Sequence, residues 1–565
     1  MEQVIYRSFK CLFVISTALL INFSSIGTAD DVLIPRLSTD DYIPFESGFS
    51  FLRYGSFGEG IFPYSQAMPG APVEIRMDGV PLPSFSPFGP DLERIPYLAI
   101  DSLAVKHGRA LWIATPDTIP QTPLTRMDFF TGDKRRSRFQ TTFLRRLNDN
   151  TGIFGCGASD GIHSGDVTAG NTSRNYLLKY LHSMKNGGMI QSTISGGFYR
   201  TDLSDIAIGR PMGSSEMNNF VFSLGVKNYR LSKDTGLFST VYYRSGLSKL
   251  DRFNIPANFD DNSFGAVVSL ARQKSGSSWG LDITVDSRRF KGRTTNARMQ
   301  DTVSKVRTSG SWVFKPVRIS ASGGGAFSTR YGAGAVAEGS LALPLSGKSE
   351  LVLRGCVSHE FPDPGNEFYP SLSFSDTVLA SNLRRYHIAW LETGIKVRRW
   401  GAEWGVFGFG SQSNVPFFIP NPPSFLQNGT ERNEGGRFTL SLTREGKVRY
   451  DGNMKVDYLG GSSSHLIWPH PYLDAIAKMS VSRIFFGGAL HGALFGEAKL
   501  LGWKHGSSTP DGTFFFLDSG ISAKISSLLI FYKVENITSE DMQWFNTLGW
   551  QGMNSLWGVR WELRN

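Results

Sequence analysis

The sequence predicts an all-β protein: a transmembrane antiparallel β-barrel of about 22 strands that follows a small N-terminal domain. Three observations lead to this fold class: the composition, a period of two among the apolar residues, and connections that alternate in length. Of the 565 residues, 13% are aromatic and 62 are glycine, while only 19% are charged and the mean hydropathy is −0.17. These values suit strands with one apolar and one polar face, whereas membrane helices need apolar spans of about 20 residues.

The N-terminus has the features of a secretory signal peptide, predicted to cover residues 1–29. Arg7 and Lys10 precede an apolar run that ends at Phe23, and small residues lead up to Ala29. A single anchor helix is the alternative, but the apolar run is short for one. Two cysteines remain in the mature chain, which is too few for a disulfide framework or a cysteine-based metal site.

Short alternating segments fill residues 123–565, the predicted barrel. In the last of them one face carries Trp557 and Trp561, and the other carries Arg560 and Glu562. The same period of two recurs in the segments 220–227, 281–286, 391–398 and 438–443. A charge on the lipid side near the bilayer midplane costs about 2–4 kcal/mol. We therefore expect the apolar faces to contact lipid and the charged faces to line the lumen.

The connections between these segments are predicted to alternate between two lengths. Short ones are expected at residues 315–316, 445–447, 486–488 and 525–527, and long ones at 245–262, 360–385 and 412–434. Short turns at one rim and long loops at the other are typical of outer-membrane barrels. A β-propeller or a chain of sandwiches is the rival architecture, and the repeat of about 40–50 residues that a propeller shows is not visible.

Residues 30–122 are rich in proline and have few regular strand patterns. A strand leads into the tight turn at Asp78-Gly79, and a further strand is expected over Ile100–Val105. The segment Val73–Leu82, the Ile95-Pro96 step and Ile100–Val105 resemble, in order and spacing, the plug domain of TonB-dependent outer-membrane receptors. The barrel strand count agrees, because barrels of about 22 strands are plugged transporters.

The resemblance implies a small α/β plug-like domain over residues 30–122, shorter than is usual in the family. The turn that carries the family's plug motif is Asp78, Gly79, Val80 and Pro81. The family also contacts an inner-membrane energy-transducing partner of the TonB type through a short apolar box near the mature N-terminus. The candidate for that box is Asp31, Val32, Leu33 and Ile34, where an extended run could add as a strand to a partner sheet. The alternative is that these are simply the first ordered residues.

No motif for enzymatic chemistry accompanies this organisation. The sequence has no phosphate-binding loop and no recognisable nucleophile motif, so we expect no enzyme and no cofactor. His465 and His470 are expected to be loop residues rather than metal ligands. The formal charge of +10 comes from scattered residues without a nucleic-acid-binding motif, which argues against a nucleic-acid partner.

The sequence thus predicts a protein of the outer membrane of a Gram-negative-type bacterium, in contact with outer-membrane lipid. The leading function is TonB-dependent-receptor-like uptake of a scarce small solute. A passive porin with a vestigial plug and a barrel-anchored surface binding protein are the alternatives. The ligand-binding residues stay open, because aromatic residues of the long loops could clamp a ligand or lie at the membrane interface. They are Phe417, Phe418, Phe425, Trp468, Trp544, Phe545 and Trp550.

Overall fold

The computed structural model describes most of the barrel and the central part of the N-terminal domain. The described residues are 34–42, 49–53, 61–65, 73–82, 92, 95–106, 110–133, 136–162, 171–185, 187–205, 210–232, 234–252, 255–274, 276–292, 298–314, 316–361, 386–399, 401–418, 426–461, 471–503, 512–540, 542–544, 548–550 and 552–564. The predicted signal peptide lies outside these residues.

Strands of the N-terminal domain form two small sheets. They are β1 (Phe49–Arg53), β2 (Ile61–Ser65), β3 (Glu74–Met77), β4 (Val80–Pro81), β5 (Ser102–Lys106) and β6 (Ala110–Ala114). β1 and β2 form a hairpin, and the other four lie in the order β4-β3-β6-β5, with β3 parallel to β6. Its described helical elements are short 3₁₀ turns at Thr39–Tyr42 and Tyr97–Ala99, so the helical part of the α/β expectation is not seen among the described residues.

The barrel begins at β7 and closes where the last strand, β30, pairs with it. Its 22 strands are all antiparallel to their neighbours, which confirms the predicted fold class. They are β7 (Leu124–Gly132), β8 (Arg136–Asn148), β9 (Thr151–Ile162), β10 (Asn171–Ser183), β11 (Met189–Asp205), β12 (Arg210–Ser232), β13 (Thr235–Arg252), β14 (Ile255–Lys274), β15 (Ser277–Gly292), β16 (Arg298–Phe314), β17 (Val317–Ser328), β18 (Gly332–Ser346), β19 (Ser349–Glu360), β20 (Tyr386–Arg399), β21 (Ala402–Phe418), β22 (Leu426–Arg444), β23 (Val448–Gly461), β24 (Leu473–Phe485), β25 (Leu490–Trp503), β26 (Gly512–Ile525), β27 (Leu528–Glu535) and β30 (Asn554–Arg564). A separate hairpin, β28 (Met542–Trp544) with β29 (Leu548–Trp550), lies between the last two.

The two faces of the barrel wall have the predicted polarity. On β30 the outward Trp557 and Trp561 are 50% and 44% exposed, while Arg560 between them points inward and pairs with Asp128 of β7. On β20 the outward Leu391 is 56% exposed, whereas the neighbouring Glu392 is buried and ion-paired. Apolar side chains thus cover the outside, and charged side chains line the lumen in pairs.

The connections alternate as predicted, but two of the long ones are much shorter than expected. The residues between strands at 315–316, 445–447, 486–489 and 526–527 all belong to one rim, and residues 361–385 belong to the other. The expected loops at 245–262 and 412–434 are mostly strand, because β13 runs to Arg252 and β21 to Phe418 before the chain turns back. In these extensions polar and apolar residues are mixed on both faces, so they lack the alternation used to find the strands.

Among the described residues, no helix is long and apolar enough to span a membrane. Neither Cys156 nor Cys356 forms a disulfide, and both side chains are buried.

The polarity of the wall predicts the effect of an outward charge. Ile283 of β15 faces outward, 37% exposed, between inward Asp282 and Thr284. We expect Ile283→Arg to destabilise the barrel by about 2–4 kcal/mol, because the charge would face hydrocarbon. The measurement is the temperature at which the folded barrel, expected to migrate faster on a gel than the boiled protein, is converted to the slower, unfolded form. Ile283→Leu is the control and should unfold with the wild type; equal stability of Ile283→Arg would contradict the assigned outer face.

Candidate functional site

The Asp78–Pro81 turn connects β3 to β4 in the predicted position. Asp78 and Gly79 both adopt positive φ, 50° and 87°, the backbone that a two-residue hairpin turn of this type requires. The backbone N–H of Asp78 donates to the carbonyl of Ile113 on β6, at 2.8 Å. The turn is therefore fixed to the small sheet on one side, and its side chains are left to contact the barrel.

The Asp78 carboxylate is the centre of a buried cluster that joins the N-terminal domain to the barrel. Its oxygens accept hydrogen bonds from Lys179 Nζ of β10 at 2.9 Å and from Lys227 Nζ of β12 at 3.1 Å. The backbone N–H of Thr115 donates to it at 3.1 Å, and Lys179 also donates to Thr115 Oγ1 at 2.8 Å. Lys179 has no exposed surface and Asp78 is 6% exposed, so water screens this cluster little.

The two lysines set the ionisation of Asp78. Burial by itself would raise the pKa of the Asp78 carboxyl, but the positive charges of Lys179 and Lys227 outweigh burial and lower its pKa below the ordinary value. Asp78 is therefore ionised at neutral pH. One carboxylate between two ammonium groups, hydrogen-bonded on both oxygens, is a buried arrangement that loses stability if any one member is removed.

The other three residues of the turn contact the adjoining wall. Gly79 lies against the ring of Phe238 of β13, so close that an added Cβ would stand 2.6 Å from Cζ. Val80 packs in an apolar cluster with Val221, Tyr242 and Val267, with Phe238 against it. The carbonyl of Pro81 accepts a hydrogen bond from Arg244 Nη1 at 2.9 Å. All four residues of the turn thus touch barrel strands.

A second contact holds the residues that follow the predicted TonB box. Arg138 of β8, 2% exposed, forms an ion pair with Asp160 of β9. It also donates from Nη1 to the carbonyl of Leu37 at 2.9 Å. Its guanidinium stands over the ring of Tyr97 at 5.9 Å from the centroid. The N-terminal segment therefore runs along the wall beside β8.

The same wall holds Tyr97 through Asp128. The Tyr97 hydroxyl donates to Asp128 Oδ2 at 2.6 Å, and Arg560 pairs with the same carboxylate at 2.7 Å. Burial, together with the nearby Asp128 charge, raises the pKa of Tyr97 well above its ordinary value, so the hydroxyl remains a donor. Arg560 Nη2 also donates to the carbonyl of Arg36 at 2.9 Å.

A third contact fixes the β1–β2 hairpin to another part of the wall. Lys455 of β23 donates to the carbonyl of Phe49 at 2.6 Å and to Ser50 Oγ at 2.7 Å. The Tyr64 hydroxyl donates to Asp474 Oδ2 of β24 at 3.0 Å. The described contacts thus reach the lumen wall at well-separated strands, so the described residues of the N-terminal domain lie against the inner face of the barrel.

One hydrophobic core includes residues from both parts of the chain. The N-terminal domain contributes Leu37, Phe49, Val73, Ile75, Leu92, Ile95, Tyr97, Leu98, Ala99, Ile100, Leu111 and Ile113, and the barrel contributes Phe130, Phe154, Cys156, Leu177, Phe531 and Leu556. These barrel residues face inward, where a water-filled pore would need polar side chains. The wall at β7–β10, β27 and β30 is built to pack against a domain in the lumen.

Sequence reasoning identified the turn but not its partners. Lys227 and Arg560 lie on the polar faces of segments with a period of two, which predicted only that they face the lumen, and no pattern singled out Lys179 or Arg138. Their spacing in sequence from the turn carries no signal, because only barrel closure brings the strands together. The only indication in the sequence that these residues bind another part of the chain was that isolated inward charges need partners.

Other predicted site residues are only partly described. Of the candidate box only Ile34 lies among the described residues, half-buried at the start of the described chain. The side chains of the seven loop aromatics, and both His465 and His470, lie outside them. In the part of the chain that the structure describes, no group of three or more His, Cys, Asp or Glu side chains could hold a metal ion.

No family model matches the chain, and no curated protein matches it in sequence. Solved structures do match. The copper transporter OprC is 12% identical with a TM-score of 0.73, over 91% of this chain and 94% of that chain. The FrpB iron transporter from Neisseria meningitidis is 11% identical with a TM-score of 0.73, over 93% and 96%. The siderophore receptor PirA from Acinetobacter baumannii is 11% identical with a TM-score of 0.71, over 94% and 96%.

These three structures are transporters and receptors, not enzymes, and at such identities the likeness concerns the fold. The apolar outer surface of the closed antiparallel barrel is that of an outer-membrane barrel protein. The chain has the fold of the TonB-dependent outer-membrane receptors, with their closed barrel of 22 strands.

Proposed function

We propose that this protein is a gated transporter that takes up a small solute across the outer membrane. The observation that carries the proposal is the contact between the N-terminal domain and the inner barrel wall, through the buried Asp78–Lys179–Lys227 cluster and a shared apolar core. A domain bound in this way obstructs the lumen at rest and must move or rearrange for a solute to pass. Residues 30–122 act as the plug, and the barrel of residues 123–565 is the conduit.

The anchors favour gating over the passive alternative. A vestigial plug in an open porin would gain nothing from buried ion pairs, whose desolvation costs several kcal/mol per ion. The ion pair between Asp78 and Lys179, and the hydrogen bonds from Arg138 and Arg560 to the carbonyls of Leu37 and Arg36, instead supply discrete contacts between the two parts of the chain that can break and re-form together. A surface binding protein would need no contact between the plug and the lumen at all.

The energy for opening is proposed to come from a TonB-type partner that binds Asp31–Ile34. These residues directly precede the segment held by Arg560 and Arg138, so a pull on them is transmitted to Arg36 and Leu37. The first contacts to break would be two hydrogen bonds to backbone carbonyls. Such bonds contribute only about 0.5–3 kcal/mol each, which suits a reversible step.

The test is binding of the purified full chain to the periplasmic domain of a TonB-type protein, measured by calorimetry. We expect Val32→Pro to weaken binding at least about tenfold, because proline cannot donate a main-chain hydrogen bond to a partner strand. Val32→Thr keeps the β-branch and the backbone N–H, and should bind as the wild type does. Unchanged binding by Val32→Pro, or none by the wild type, would contradict energy coupling through this segment.

A further inference from the structure

A group of polar side chains on the lumenal face of β20–β22 has no hydrogen-bond partner within the described part of the chain. The atoms are Trp390 Nε1, Ser411 Oγ, Ser413 Oγ and both amide atoms of Asn433. The side chains are buried, 2–8% exposed. Outward neighbours such as Leu391 are exposed, which places these four on the inner face. They are called the lumenal polar patch below.

The members of the lumenal polar patch are neighbours across three strands. Trp390 lies opposite Ser411, and Ser411 lies opposite Asn433; Ser413 is the next inward residue along β21. Adjacent strands are about 4.8 Å apart, so the patch is about 10 Å wide. Each buried polar group without a partner costs about 1–3 kcal/mol, and a ligand that formed hydrogen bonds with several of them side by side would recover that cost.

The surroundings of the patch are apolar or electrically compensated. Cys356, Ile388, Phe409 and Leu459 form one apolar cluster with Trp390. On β20 the chain runs from Ile388 through Trp390 to Glu392, towards the rim with the short turns. Glu392 and the charged side chains around it therefore lie between the patch and that rim.

Those charges are paired with one another. Arg437 binds Glu392 at 2.9 Å and Asp457 at 2.6 Å, and Lys455 pairs with Asp457 at 3.2 Å. The ion pairs leave the patch with donors and acceptors but no strong net charge. A charged solute would find little to bind there.

We propose that the lumenal polar patch binds a neutral polyhydroxylated solute, an oligosaccharide, during its passage through the barrel. A sugar hydroxyl both donates and accepts, as do the serine hydroxyls and the asparagine amide of the patch. The C–H faces of a sugar ring would contact Trp390 and the apolar cluster around it. This inference rests on the proposed function, because the atoms have no accessible surface at rest and are reached only after what lies over them moves.

The native thiol of Cys356 reports on the patch, because Cys356 lies opposite Trp390 on the neighbouring strand. Energised cells that express the full chain are treated with a maleimide, with and without maltopentaose, an uncharged glucose oligomer. Peptide mass spectrometry follows labelling of Cys356, and Cys156 in the plug–barrel core serves as the internal reference. At a sugar concentration about ten times the dissociation constant, labelling of Cys356 should slow about tenfold, since only the unoccupied fraction reacts. Citrate at the same concentration should leave the rate unchanged.

Variants connect the protection to the patch. Asn433→Leu and Ser411→Ala should each remove most of the protection by maltopentaose. Ser340→Ala is the matched control, because its hydroxyl already bonds to Ser320 at 2.6 Å on the same inner face, and it should keep the protection. Because the patch hydroxyl has no partner to lose, Ser411→Ala should also unfold at or above the wild-type temperature, which separates lost binding from misfolding.

The remaining outcomes distinguish the solute class from the gate. The oligosaccharide site would be overturned if Cys356 were labelled without protection by maltopentaose, or if protection survived Asn433→Leu and Ser411→Ala. Neither result would contradict the proposed transport function. No labelling of Cys356 in a chain that labels fully once unfolded would also overturn it, because the patch would never be reached. Labelling and protection that persist after the proton-motive force is collapsed would support the site and contradict energised gating.

Discussion

Asp78→Asn is expected to release the plug from the barrel without unfolding the barrel. The substitution removes the charge that compensates Lys179, which has no exposed surface, and Lys227. Removing one partner of a buried ion pair costs about 3–5 kcal/mol, and here the cost falls on the contact between the two parts of the chain. We expect a separate plug transition at lower temperature in calorimetry, and ion conductance in a planar bilayer where the wild type has none.

Asp101→Asn makes the same chemical change on the exposed surface of the plug and is the matched control. It should leave both the plug transition and the conductance unchanged. If Asp78→Asn behaves like Asp101→Asn, the cluster is not the anchor that the geometry indicates.

The same cluster sets the acid limit of plug retention. The pKa of Asp78 is lowered in the folded state, so the cluster contributes its stability above the carboxyl's unfolded pKa of about 3.9 and loses it as pH falls through the lower folded pKa. Between neutral pH and about pH 4 the anchor should hold, and conductance should appear only in stronger acid. Asp78→Asn should lack this component of the acid response, having lost the anchor at every pH.

Arg138→Leu is expected to destabilise the protein by about 3–5 kcal/mol and to free the segment after the predicted TonB box. It leaves the Asp160 carboxylate, 7% exposed, without its cation, and it removes the hydrogen bond to the carbonyl of Leu37. The readouts are the unfolding temperature and the rate of tryptic cleavage after Arg36. In this variant the unfolding temperature should fall and cleavage after Arg36 should become faster.

The double variant Arg138→Leu/Asp160→Leu separates the two effects. Replacing both partners by apolar side chains is often neutral for stability, so the unfolding temperature should recover. The hydrogen bond to Leu37 stays absent, so cleavage after Arg36 should remain fast. Wild-type stability in the single variant, or recovery of slow cleavage in the double variant, would contradict the proposed contact.

The barrel was predictable because its signal, the alternation of apolar and polar side chains, lies within each strand. Alternation along a strand such as β30 is enough to distinguish the lipid side from the lumen, and tight turns such as 526–527 mark one rim. The prediction was wrong at 245–262 and 412–434, where strands continue beyond the apolar belt. Hydrogen bonding between neighbouring strands keeps those extensions in the sheet, and it is not visible in a pattern of side chains.

The candidate site was predictable only on the plug side. The Asp-Gly pair indicated a turn with positive φ, and the structure has one at Asp78 and Gly79. Its function as an anchor depends on Lys179 and Phe238, which approach it only when strands far apart in sequence close into a cylinder. The same holds for the lumenal polar patch, whose residues read simply as polar positions on three strands.

The most direct test of the account is single-channel conductance in a planar bilayer, comparing the mature full chain with a chain that lacks residues 30–118. Because the plug is held in the lumen at several well-separated strands, we predict that the full chain is silent and that the deleted chain conducts. Large, steady conductance of the full chain, equal to that of the deleted chain, would contradict a gated transporter and identify the barrel as an open porin.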